Sequence, residues 1–142
     1  MNTGSIDQIE RSIHTTNTWL DELDEIMGWE NRPRSWRLLR VTLHALRDWL
    51  SVNEAVQLGA QLPMLIRGLY FEGWRPAQTP VKARKLSDFC ARIEKAFETD
   101  PLDNVEDHIA RVFQFLSRHV SEGELDEVRQ ALPPDIRRLW EQ

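Results

Sequence analysis

The groups in this 142-residue chain that can do chemistry are four histidines, one cysteine, 23 acidic residues and 18 basic ones. A metal centre needs ligands whose spacing makes them converge. His14, His44, His108 and His119 contain no H-x-x-x-H pair. His44 and Asp48 share a helical face at i, i+4, but one pair is not a site. Glu106, Asp107 and His108 are consecutive, so a helix points them in different directions. Cys90 falls on an apolar stripe, where a thiol packs as a small hydrophobe. No G-x-S-x-G segment is present, and the six glycines are too scattered to cradle a phosphate. The expectation is a protein with no catalytic residue, no metal and no cofactor.

Two clusters are candidates for binding. Arg67, Tyr70, Glu72 and Trp74 set aromatics beside charges near mid-chain, as a small-ligand groove does. The competing reading is an aromatic staple between two halves of the fold. Arg32, Arg34, Trp36 and Arg37 gather arginines and an indole at a helix start, as a phosphate or acidic-peptide contact does. The same arginines could instead neutralise Asp21, Glu22, Asp24 and Glu25. The net charge is −5, and residues 87–142 carry 13 acidic against 7 basic groups. A solvated face accounts for that, and so does a docking surface for a basic partner. DNA binding is not expected: the helix-turn-helix-like stretch Leu50 to Tyr70 offers only Arg67 to read bases.

The elements that carry these groups repeat. Offset by 70 residues, Arg37 to Tyr70 aligns without a gap on Asp107 to Trp140, and eight of 34 pairs are identical. They include Ser51/Ser121, Glu54/Glu124, Leu62-Pro63/Leu132-Pro133 and Arg67/Arg137. Positions shared by both copies are expected to serve the fold. Glu54 and Glu124 then read as caps. Arg67 and Arg137 read as structural bridges, or as a ligand contact used twice.

Each copy reads as four helical pieces. The first begins at a Ser5-x-x-Gln8 capping box and sets Ile6, Ile9, Ile13, Thr16, Leu20, Leu23 and Met27 on one face. The weak helix formers His14 to Thr18 mark a place where it could break. The second piece, from about Ser35 to Leu50, has two adjacent apolar rows and so belongs in the centre. Its counterpart begins at a second box, Asp103-x-x-Glu106. The third opens on an S-x-x-E box in both copies, at Ser51 and at Ser121. The fourth is short and starts at Pro63 or Pro133. The connector Phe71 to Pro80 holds two prolines and a glycine, which stop a helix.

Nothing reads as strand. The expected fold is all-α, with two pseudo-equivalent repeats of about four helices packed as one compact helical bundle. The repeats are residues 1–70 and 81–142, joined by a connector at 71–80. No apolar run reaches the roughly 18 residues of a membrane span. The N-terminus lacks the basic and apolar parts of a signal peptide. A single cysteine cannot form an internal disulfide and fits a reducing cytosol.

The segment Leu62-Pro63-Met64-Leu65-Ile66-Arg67-Gly68-Leu69-Tyr70-Phe71-Glu72-Gly73-Trp74 resembles the hallmark stretch of a bacterial family, domain of unknown function 2267. The ending from Val120-Ser121-Glu122-Gly123-Glu124 through Leu132-Pro133 to Leu139-Trp140 is similar to that family's closing segment. The resemblance runs from about residue 15 to 140. It implies a small, largely helical, soluble bacterial protein. It implies no activity, cofactor or catalytic residue, so no functional residue carries over.

The leading expectation is a non-enzymatic cytoplasmic protein acting through a protein partner or as a homo-oligomer, with no nucleic acid and no membrane. The alternative is a small-ligand sensor with its site in an aromatic groove between the repeats.

Overall fold

A computed structural model of the chain describes Gly4 and residues 6–141. Among the described residues the fold is all-helical, with no strand. The first half holds α1 (Asp7–Met27), α2 (Arg32–Trp49), α3 (Val52–Ala60) and α4 (Met64–Phe71). The second holds α5 (Leu86–Lys95), α6 (Val105–Ser117), α7 (Glu122–Ala131) and α8 (Pro134–Trp140). Between them a 3-10 turn spans Pro76–Gln78. No helix among the described residues is long and apolar enough to cross a membrane.

Among the described residues, side-chain caps account for four of the eight α-helix starts. Ser51 Oγ accepts the Glu54 amide at 3.2 Å, and Ser121 Oγ accepts the Glu124 amide at 3.4 Å. The return half of the second box does not form. Gln61 Oε1 takes the Ser121 amide instead, at 3.2 Å. Helix α2 is capped by Asn31, whose side chain accepts the Arg34 amide. Helix α6 is capped by Asn104, which accepts the Asp107 amide, and not by Asp103 as the sequence suggests. The Asp103 carboxylate is engaged by His108 Nε2 at 3.1 Å, which leaves the cap to its neighbour.

Helix α1 resolves two points that its sequence leaves open. The helix runs unbroken through His14–Thr18. The hydroxyls of Ser12, Thr16 and Thr18 bond to carbonyl oxygens four residues back, so they do not compete for the backbone. The apolar face is buried only toward its C-terminal end, at Trp19, Leu23 and Met27. Ile6, Ile9 and Ile13 stand in solvent. The expected box at Ser5 lies outside the described residues, and Ile6, at the cap position of α1, makes no side-chain cap bond.

One continuous core joins the two halves. Helix α2 is central: Leu38, Leu39, Thr42, Leu43, Ala45, Leu46 and Trp49 are all buried, so both of its apolar rows are used. It packs on α1, α4, α5 and α6. Across the halves, Trp49 meets Phe89 edge-on at 5.3 Å and Trp19 meets Phe115 edge-on at 5.5 Å. Helices α3 and α7 also touch. Burying each such large side chain contributes about 1.5–3 kcal/mol. Gly59 lets α4 lie close to α3, because a Cβ there would fall 2.5 Å from Phe71 Cζ.

Candidate functional site

The structure separates the four residues of the mid-chain cluster. The Arg67 guanidinium is spent on the end of α3, donating to the carbonyls of Gly59, Ala60 and Leu62. Arg137 does the same for α7, donating to Arg129, Gln130 and Leu132. Each acceptor lies 70 residues from its counterpart. Tyr70 is fully buried and donates its hydroxyl to the Ala55 carbonyl at 2.8 Å. Glu72 is exposed. Trp74 is half-buried, packs against Phe71 at 5.4 Å and donates to Thr79 Oγ1. The polar hollow nearest the connector is lined by Arg47, Asp48, Gly73, Arg75, Gln78, Thr79, Val81 and Arg92, and includes none of the four.

Arg47 is the residue that sequence reasoning overlooked there. It is buried on α2 and donates to the carbonyls of Tyr70 and Glu72, holding the end of α4 against the core. Its neighbour Asp48 accepts from both Arg47 and Arg92, linking α2 to α5. Neither residue sits in a sequence motif.

The arginines at the start of α2 are each engaged within the fold. Arg32 pairs with Asp21 at 2.8 Å and bonds Asn17. Arg34 pairs with Asp100 at 2.7 Å and lies over the Trp29 ring at 4.1 Å. Arg37 lies over Phe97. Of the four acids named as partners for this cluster, Asp21 takes an arginine. Asp24 accepts from Ser35 Oγ and the Asn31 amide, and Glu22 pairs with His119. Trp36 is half-buried and, with Thr16, Leu20, Arg32 and Pro33, lines an apolar hollow beside α1.

That hollow continues an open apolar row. Ile6, Ile9 and Ile13 are 57%, 52% and 48% exposed, and Met64 and Leu65 at the start of α4 are exposed as well. Ser12 on α1 lies 3.8 Å from the Met64 sulfur, which places the two groups side by side.

A second feature lies where α3 meets α7. Glu54 and Glu124, the third residues of their helices, converge with Glu127, one turn further along α7. One carboxylate oxygen from each lies within 4.8 Å of the others. Burial, with Glu54 and Glu127 close by, pushes the Glu124 carboxyl up to about 7. The sequence carries a signal for this, the S-x-x-E pair at one offset, but local reasoning assigns both glutamates to their own caps.

Two further titratable groups pack inside the fold. Cys90 is buried, and burial followed by Glu106 and Glu94 pushes its thiol up to about 11. His119 stacks on Trp19 at 4.1 Å.

No curated protein matches this chain. The model of a family described as an uncharacterized conserved protein, DUF2267, matches residues 16–139, close to the span of the resemblance in the sequence. With that match covering most of its length, the chain belongs to the DUF2267 family.

Proposed function

We propose that this protein is a non-enzymatic, cytosolic interaction module that pairs with a second copy of itself along α1. One observation carries the reading. The row Ile6, Ile9, Ile13, Thr16, Leu20, Leu23, Met27 steps by three and four residues, the spacing of a helix that packs along another helix. Its rear is covered by the core and its front stands in solvent. An isolated apolar side chain on a surface needs no explanation, but a contiguous row marks a contact. A second copy is the favoured occupant because the row itself bears no charge. Its flank carries both signs, at Asp7, Glu10 and Arg11, so the surface can cover itself about a two-fold axis.

Further features support the wider reading. The thiol of Cys90 is buried and kept protonated, which suits a structural role and a reducing compartment. The matched fastening of α3 by Arg67 and of α7 by Arg137 supports descent of the two halves from one duplicated unit.

Sedimentation velocity tests the pairing. The expected wild-type mass is twice the 16.7 kDa of one chain. The double variant Ile9→Glu/Ile13→Glu is expected to sediment as a single chain with unchanged far-UV circular dichroism, since neither side chain is in the core. A wild type that stays at one chain mass up to millimolar concentration would rule the pairing out, as would a double variant that still dimerises.

A further inference from the structure

Three carboxylates that converge repel one another when ionised, so a proton or a bound cation must offset part of the charge. Glu54, Glu124 and Glu127 are this case. Glu54 and Glu124 sit in the first turns of α3 and α7, where the positive helix ends favour the carboxylate form but carry only about half a charge each, and Glu127 lies one turn further along α7.

A second observation sets this group apart from the acids scattered over the surface. Glu124 is 8% exposed. Its Oε1 is shut off from solvent and meets no hydrogen-bond donor among the described residues, and the same holds for Oε2 of Glu54. A buried oxygen without a donor costs about 1–3 kcal/mol, more when charged. Here two such oxygens belong to side chains that converge on one another across the contact between the halves. Of the arginines on α7 and α4, Arg129 pairs with Asp126 and Arg67 is bound to backbone carbonyls.

We propose that Glu54, Glu124 and Glu127 form a binding site for a hard divalent cation at the junction of α3 and α7. Oxygen-only donors select the calcium, magnesium and manganese class over softer metals. A cation there would tie the two halves together at one point, since Glu54 comes from the first and the other two from the second. The site stands apart from the α1 row, so the self-pairing reading and this one can fail separately.

Isothermal titration of the chelator-stripped full chain at pH 8 with calcium, manganese or magnesium chloride tests this. Saturable binding of one ion per chain is expected for at least one of the three, with a raised Tm at saturation. Glu124→Gln is expected to weaken binding at least tenfold while folding no less stably, because it relieves repulsion. Glu127→Gln gives a second check that cannot act through the core, since Glu127 is exposed. Glu98→Gln, an exposed acid on the segment after α5, is expected to leave binding unchanged. Absence of binding for all three ions overturns the proposal. So does binding that both cluster variants retain, or that Glu98→Gln weakens equally.

Discussion

The imidazole of His44 shows what burial does to a single side chain here. It sits against the end of α4, with Nε2 2.7 Å from the Leu69 carbonyl. Burial lowers its pKa below the ordinary 6.5. Arg47 and Arg40 add to that effect, while the Leu69 carbonyl and Asp48 oppose it. The unfolded chain therefore takes up this proton first as pH falls. The stability tied to neutral His44 is complete above about 6.5 and is lost as pH drops through the lower folded value. Urea midpoints at neutral and mildly acid pH are expected to fall with acid in the wild type. The fall should be smaller in His44→Gln. An equal acid slope in both proteins would show that His44 takes no part. Other side chains likewise take their roles from distant neighbours. Arg34 reads as an anion contact until Asp100 is seen to fill it.

Among the helices, α3 and α7 depend most on help at both ends. Each is short and starts on a serine cap. Each ends on carbonyls that an arginine from the following helix gathers in a planar fork. Arg67→Ala and Arg137→Ala are each expected to cost about 1–2 kcal/mol in chemical denaturation, since charged donors to several carbonyls are lost. Lysine should restore less than half, because a point charge cannot span three acceptors. If either alanine variant proves neutral, the helix end is held by other means. Helix α1 presents the opposite case. Its periodicity is regular from Ile6 to Met27, yet only the later turns are buried.

For the molecule as a whole, the two halves share one core, with ion pairs such as Arg34–Asp100 and Arg92–Asp48 at its edge. Trp49 against Phe89, Trp19 against Phe115 and the joining of α3 to α7 leave no seam of solvent-facing side chains between two cores. The chain is expected to unfold in one transition, with far-UV circular dichroism and tryptophan fluorescence tracing the same curve. Two separated transitions would mean that each half holds its own core.

Residues within four positions of one another set the helices, the serine caps, the central place of α2 and the stop at the connector. Their interactions act along the chain, so spacing and residue type suffice to read them. The choice of Asn104 over Asp103 as a cap already required knowing that His108 would claim the aspartate. Whether Ile9 is covered, where Arg34 goes, and that Glu54 meets Glu124 across 70 residues are questions of packing. Periodicity identifies an apolar face without saying what lies on it. A glutamate at a helix start satisfies the capping pattern whether it turns back to its own serine or outward to another helix. Only the approach of α7 to α3 brings those carboxylates together, because the repulsion and the buried oxygens arise from the contact itself.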